Sequence, residues 1–324
     1  MDINEKIELI KRNSAEIINE NKLKDILKLK KPVTYCGYEV SGGTGGGIHL
    51  GHLVTITKLL DLQKAGFHVK VLFADWHTWL NRKGDWDFIH KQCKIWEQGF
   101  KAAGLDAEFV LGSKFQRNLN YIDDVLTLSL NTTMNRALRS MQEVARDFEN
   151  AKVSQVIYPL MQIVDIKHLK VDLVQAGLEQ RKIHGLGIEV FPKINYKVPV
   201  FVHTPLISSL KGPGSKMSSS EPESMISIND DENNIRKKIN NAYCPQGVVE
   251  DNPILQIMKL IIFPRYNEVI IERSSKFGGN LKFKSYNELE KEFVNKKLHP
   301  QDLKNSCSIY LDKILMPIRK KFKK

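Results

Sequence analysis

Cysteine is scarce and scattered: Cys36, Cys93, Cys244 and Cys307 are the only four in 324 residues, and no C-x-x-C pair occurs. That spacing argues against a zinc site and a disulfide framework, and for a reducing, cytoplasmic setting. Long apolar runs are also lacking; none approaches the ~18 residues of a membrane span. The opening residues, Met1-Asp2-Ile3-Asn4-Glu5, are polar and acidic, which is unlike a secretory signal. No internal repeat appears, and no low-complexity tract beyond one glycine-rich run. Acid is in deficit, with 37 Asp and Glu against 49 Lys and Arg, a net charge of +12. Such an excess suits a polyanionic partner, although a lysine-rich soluble chain has the same balance. Residues 317–324 hold five of the cations, and a solvated tail is the plainer account there. What is present is ordinary globular material: 42% hydrophobic and 27% charged residues, enough chain for roughly two domains.

Isoleucines and leucines at helical spacings predict a helix over 5–30. The β-branched and aromatic stretch 32–38 reads as a buried strand, followed by a helix at 50–65, a strand at 68–75, a helix at 85–103 and a strand at 108–111. This alternation predicts an α/β fold, a Rossmann-like doubly wound parallel sheet. A helical insertion follows near 114–169, with helices at 119–131, 133–147 and 153–169. Strands at 171–174 and 198–202 flank a helix at 179–191. Gly212-Pro213-Gly214-Ser215 marks a mobile loop within 211–220. Helices at 231–242, 252–263, 286–296 and 301–320 predict a mainly helical C-terminal domain over 229–324, after a nucleotide-binding domain over 1–228.

Two segments carry chemistry. His49-Leu50-Gly51-His52 lies behind Gly42-Gly43-Thr44-Gly45-Gly46-Gly47 and ahead of the helix at 50–65. Glycine lets a phosphate approach the backbone, and a helix N-terminus offers free N–H groups and positive dipole. Lys216-Met217-Ser218-Ser219-Ser220 adds one ammonium and three hydroxyls. The glycine run is not a Walker A loop, since no Gly-Lys-Ser/Thr follows. Nor is it a dinucleotide fingerprint, because Ile48 replaces the third glycine. The histidine pair has no third metal ligand at sensible spacing. Each segment alone could be a solvated loop; together they suggest a nucleotide triphosphate held from two sides. If the strand at 32–38 comes first in the sheet, the loop after it lies at the carboxyl edge, and both histidines face the crevice.

The pair resembles the HIGH and KMSKS signatures of class I aminoacyl-tRNA synthetases. Further segments resemble the archaeal and eukaryotic tyrosyl-tRNA synthetases, in register over nearly the whole chain. They are Thr34-Tyr35-Cys36-Gly37-Tyr38-Glu39, Phe73-Ala74-Asp75-Trp76-His77, Val156-Ile157-Tyr158-Pro159-Leu160-Met161-Gln162, Gly177-Leu178-Glu179-Gln180-Arg181-Lys182-Ile183-His184 and Lys276-Phe277-Gly278-Gly279. The resemblance implies that tyrosine is activated with ATP to tyrosyl-adenylate and pyrophosphate, then transferred to the 3'-terminal adenosine of its tRNA. It places His49, Gly51 and His52 at the α-phosphate and ribose of ATP. Lys216, Ser218 and Ser219 would hold the leaving pyrophosphate, with Mg²⁺ bridging its oxygens.

For the amino acid, the resemblance implies that Tyr35 and Asp165 face the phenol and that Tyr158, Gln162 and Gln180 face the ammonium group. His77 and Gln116 match further pocket positions. Independently, Tyr158, Gln162 and Asp165 are spaced i, i+4, i+7, so one helix face presents all three. A phenol donates one hydrogen bond and accepts another, and a Tyr–Asp pair satisfies both. For tRNA, the resemblance points to Phe277, His299 and Asp302 at the anticodon and to Arg139, Arg181 and Lys182 near the acceptor end. Locally, 298–302 reads equally well as a helix cap. A homodimer is implied, through the insertion around 119–150. His68, His90, His168 and His203 read as ordinary histidines.

The chain departs from the family pattern in three places. Val40 stands where a proline is usual, the glycine-rich segment is several residues longer, and Ser219 occupies the position of a second lysine, as in archaeal and eukaryotic tyrosine enzymes. Three rivals remain open: a tryptophan-specific synthetase, a small nucleotidyltransferase of the HxGH type, and a catalytically silent paralogue acting as an RNA-binding or regulatory protein.

Overall fold

The structure, a computed structural model, describes residues 1–42, 47–144, 150–218 and 221–322. Most of the glycine run and Ser219 lie outside the described residues. Contacts divide the chain into two compact units. One comprises Met1–Ser41, Lys58–Glu97 and Leu105–Pro205; the other comprises Gly42–Thr57, Gln98–Gly104 and Leu206–Lys324.

The first unit is built on six strands: β1 (Glu16–Ile18), β2 (Val33–Tyr38), β3 (His68–Phe73), β4 (Glu108–Leu111), β5 (Leu173–Gly177) and β6 (Val200–Thr204). Their order is β1-β6-β5-β2-β3-β4. β2 to β6 run parallel, and β1 joins β6 antiparallel with Ile17 opposite Val202. β5 and β6 are buried along their whole length, which fits interior strands of a parallel sheet. Strand order reverses between β2 and β5, where Tyr35 pairs with Val174. Ligands of such sheets bind beyond the carboxyl ends of the strands at that reversal.

Helices α1 (Ile3–Lys11), α2 (Leu23–Ile26), α3 (Leu50–Lys64), α4 (Asp75–Leu80), α5 (Trp86–Ala102), α6 (Leu119–Leu130), α7 (Met134–Ser140), α8 (Val153–His168) and α9 (Arg181–Val190) follow in chain order. The helix expected over 5–30 is broken. Asn13 and Asn19 take left-handed φ of 55° and 61°, and the β-branched pair Ile17-Ile18 between them forms the edge strand β1. The buried Lys58 ammonium ends α1 by donating to the carbonyls of Ile10 and Leu9 at 2.9 and 3.2 Å. The strand expected to reach Asp75 stops at Phe73, because Asp75 opens α4 and accepts the N–H of Trp76. Over 133–147 helix extends only to Ser140, and the final residues of that span lie outside the described set. β5 and β6 begin two residues later than expected, and both run beyond the predicted ends.

The second unit contains α10 (Glu232–Asn241), α11 (Pro253–Ile257) with a π-helical turn at Met258–Ile262, and the strands β7 (Val269–Ile271) and β8 (Leu281–Phe283). α12 (Tyr286–Val294) and α13 (Pro300–Phe322) complete it. Ile235 and Ile239 of α10 are buried, as are Leu303, Leu311 and Leu315 of α13, and these helices pack together. The β7–β8 hairpin was not expected, since three-residue strands fall below the length at which alternation is readable. Among the described residues no helix is long and apolar enough to cross a membrane.

Candidate active site

A buried polar cluster lies in the first unit, on β2, α4, α6, α8 and the turn after β4. Tyr35 and Gly37 share one face of β2. A Cβ on Gly37 would stand 2.6 Å from the Tyr35 hydroxyl, so glycine there lets the phenol lie back along its own strand. Asp165, on α8, is fully buried. Its Oδ1 receives Gln116 Nε2 and the Tyr121 hydroxyl, each at 2.8 Å. Its Oδ2 has no hydrogen-bond partner among the described residues, and His77 Nε2 lies 3.7 Å from it. Both His77 ring nitrogens are likewise orphaned, and the ring meets Tyr158 edge-on at 4.5 Å.

Burial pushes the Asp165 carboxyl above its ordinary range, opposed by His77, Gln116, Tyr121 and His168. Burial and then Asp165 raise the Tyr35 phenol; burial and then Glu39 raise Tyr158. Both phenols therefore keep their protons. The Glu39 carboxylate is held by Asn81 Nδ2 at 3.0 and 3.1 Å and by the Lys83 ammonium. Gln162 donates to Gln180 at 3.1 Å. The structure thus brings Tyr35, His77, Gln116 and Asp165 together, and joins Gln162 to Gln180. Tyr158, Gln162 and Asp165 do lie on one helix, α8.

Tyr121 and Glu39 were not singled out from the sequence. For Tyr121 a signal existed: with Val125 and Leu128 it falls at i, i+4, i+7 on the buried face of α6, and a buried phenol seeks a partner.

The second unit carries the two glycine- and serine-rich signatures. His49 forms an isolated antiparallel bridge with Ser227, flanked by Ile228 N–H to Ile48 O at 3.2 Å and Leu50 N–H to Ile226 O at 3.1 Å. His49 Nδ1 accepts the N–H of Gly51 at 3.1 Å, and His52 Nδ1 accepts the N–H of His49 at 3.2 Å. A ring nitrogen that accepts carries no proton, so each neutral imidazole holds its hydrogen on Nε2. Burial lowers the His49 pKa to about 4, which makes it a neutral donor near pH 7. A Cβ on Gly51 would approach His49 Cε1 to 2.8 Å, so only glycine lets this ring fold over the helix start. Lys216 pairs through its backbone with Ser208, and Met217 N–H reaches Ile207 O at 2.9 Å. Strand-like alternation buries Met217 and leaves Lys216 exposed, with Ser218 half-buried.

The residues expected to meet RNA are mostly exposed. Phe277 is 65% exposed beside the glycine turn at 278–279. His299 Nδ1 accepts the Gln301 N–H at 3.1 Å, which is the capping geometry, and Asp302 sits half-buried in the first turn of α13. Arg139 donates to Asn135 O at 3.3 Å. Arg181 grips Glu16 through Nε and a terminal nitrogen, and Lys182 pairs with Glu143 at 3.1 Å.

The family model described as tRNA synthetases class I (W and Y) matches residues 28–316. The tyrosine–tRNA ligase of Methanopyrus kandleri is 48% identical over 324 residues, covering 99% of this chain and 98% of that protein. The tyrosine–tRNA ligase of Methanocaldococcus jannaschii is 48% identical, covering 98% of this chain and 99% of its own. Among solved structures, the Archaeoglobus fulgidus tyrosyl-tRNA synthetase complexed with L-tyrosine superposes with a TM-score of 0.95 at 47% identity, covering 99% of this chain and 100% of that chain.

Proposed function

The chain belongs to the class I tRNA synthetases of the tryptophan and tyrosine group, and we propose that it is a tyrosine–tRNA ligase of the cytoplasm. It joins tyrosine to ATP as tyrosyl-adenylate with release of pyrophosphate, then passes the tyrosyl group to the terminal adenosine of tRNA(Tyr). The observation that carries the amino-acid choice is the buried, unpartnered Oδ2 of Asp165 in a cluster with the Tyr35 phenol. The substrate hydroxyl donates to Oδ2 and accepts from Tyr35. Phenylalanine would leave both groups buried and unpaired, which is the costly outcome. Tryptophan offers an indole N–H but no acceptor for Tyr35. Gln162, Gln180 and Tyr158 receive the ammonium group, and His77 and Gln116 line the phenol end.

Activation needs no protein nucleophile, because the tyrosine carboxylate itself attacks the α-phosphate and pyrophosphate leaves. The protein contributes positioning and donors for the growing charge on phosphate oxygens. His49 and His52 supply two Nε2–H donors to the α-phosphate and ribose, with Gly51 allowing close approach. Lys216 and Ser218, with Ser219, hold the departing pyrophosphate. A Mg²⁺ ion would be held by the triphosphate oxygens and water, where it would offset phosphate charge. The described residues hold no group of three metal-ligating side chains, and Mg²⁺ commonly keeps phosphate and water ligands.

For tRNA, Phe277 stacks on an unpaired anticodon base while His299 and Asp302 meet base edges. Arg139, Arg181 and Lys182 face the acceptor end; Arg181 must then exchange Glu16 for RNA phosphate. This assigns 229–324 to the anticodon and 1–228, with its insertion, to catalysis. A homodimer forms through α6, whose Leu119, Ile122, Leu126 and Leu130 are all exposed on one stripe.

Tyrosine-dependent ATP–pyrophosphate exchange by the purified protein is the deciding experiment, run beside tryptophan and phenylalanine. Exchange with tyrosine alone is expected. Exchange with tryptophan instead, or none with any amino acid, overturns the proposal.

A further inference from the structure

Tyr121 is fully buried, and its hydroxyl stands 2.8 Å from Asp165 Oδ1 and 3.0 Å from the carbonyl of Met161. One phenol has one proton to give. Met161 lies inside α8, where its carbonyl already faces the helical N–H of Asp165, and a carboxylate is the stronger acceptor. The proton therefore goes to Asp165. Gln116 Nε2 reaches the same oxygen, also at 2.8 Å. Two donors thus saturate Oδ1 and none reaches Oδ2 among the described residues.

We propose that Tyr121 is a positioning residue for amino-acid selection: by binding Oδ1 it fixes the Asp165 carboxylate in the orientation that presents Oδ2 to the substrate hydroxyl. The inference rests on the reading of Asp165 as the phenol's partner. Tyr121 itself does not touch the substrate.

Three features support the role. The Tyr121 ring is clamped edge-on by Phe115 at 5.7 Å and His168 at 5.0 Å, so the hydroxyl cannot swing. Asp165 is separated from Tyr121 by 44 positions, and Tyr121 lies in the buried cluster that also contains Tyr35 and Tyr158. The groups facing Asp165 are Tyr35 from β2, His77 from α4, Gln116, Tyr121 from α6, and Tyr158 and His168 from its own helix. Of these, Tyr121 and Gln116 bond it directly, and both favour the ionised, acceptor-only form against burial. An ionised carboxylate can only accept, so it rewards a ligand that donates and penalises one that does not. Loosening or protonating it weakens that distinction.

The test is Tyr121→Phe, assayed by pyrophosphate exchange with tyrosine and with phenylalanine. The variant should raise KM for tyrosine about tenfold, with kcat and the KM for ATP little changed. Activity with phenylalanine should stay constant, so discrimination falls by the same factor. The acid limb of tyrosine kcat/KM should also move to higher pH, because Asp165 has lost a donor to its charged form. Equal losses with both amino acids, or an acid limb that does not move, overturn the proposal. Tyr121→His, which keeps a donor, should recover part of the discrimination if folding of the Phe variant is poor; no recovery counts against the role. Asp165→Asn separates the two readings. If it leaves the tyrosine KM untouched, the assignment of Asp165 itself fails. If it raises that KM while Tyr121→Phe does not, only the role of Tyr121 falls.

Discussion

The backbone N–H of His49 is bonded to Nδ1 of His52 at 3.2 Å, and the two rings lie 4.2 Å apart. This contact, with Gly51 N–H on His49 Nδ1, sets both neutral imidazoles in the tautomer that carries the proton on Nε2. In the proposed reaction His49 therefore acts by donating a hydrogen bond and not by carrying charge. His49→Ala should lower the exchange rate about 10²-fold, the usual loss for one transition-state donor. His49→Gln, which retains an N–H, should recover much of it. Equal loss in the two variants would sink the donor role.

The proposed function assigns Lys216 to the departing phosphates. Lys216→Ala should slow pyrophosphate exchange about 10²-fold while tyrosine affinity, read by equilibrium binding, stays nearly intact. A large fall in tyrosine binding would refute the assignment.

In the proposed function Phe277 serves the RNA and not the activation step. Its removal in Phe277→Ala should raise the tRNA KM about tenfold, the worth of one base stack, and leave exchange unchanged. A parallel loss in both assays would place the residue elsewhere.

The proposed homodimer would use the exposed stripe on α6. Leu119 and Leu130 are 81% and 88% exposed, which is unusual for leucines at helical spacing. Sedimentation should give a dimer for the wild type and a monomer for Leu126→Glu. A wild-type monomer, or an unaltered dimer in the variant, would disprove the assignment.

Acid sensitivity has an identifiable source in the first unit. His184 is buried, bonds His203 at 2.8 Å and is held well below its ordinary pKa by burial, then by His203. Its folded pKa is depressed, so below the unfolded value of about 6.5 the unfolded chain binds the extra proton. Stability from this group is complete above that pH and is lost as pH falls. His184→Gln should therefore show a smaller drop in Tm between pH 7 and pH 5 than the wild type. An equal drop would exclude His184 as a source.

The local signatures were readable because their chemistry is local. Gly51 stands two residues from His49 and Gly37 two from Tyr35, so the close approaches that the structure shows there are made within three residues of chain. Helices α3, α5, α6 and α8 fall within two residues of expectation because each is a long apolar-rich run of good helix formers, amphipathic in α5, α6 and α8 and buried nearly all round in α3. The edge strand β1 was missed because its three residues pair with β6, 187 positions from Glu16 to His203, and nothing nearby announces the partner.

The succession of the parallel strands β2 to β6 with their helices, the two signature segments and the helix face bearing Tyr158, Gln162 and Asp165 follow from sequence, since periodicity and short-range geometry specify them. Only the tertiary structure decided which oxygen of Asp165 is taken and which is open. That choice is made by Gln116 and Tyr121, 49 and 44 positions away, and by the burial that strips water from all three. Hydrogen-bond partners brought together by folding have no periodicity along the chain, and a buried carboxylate reads in sequence like any other aspartate.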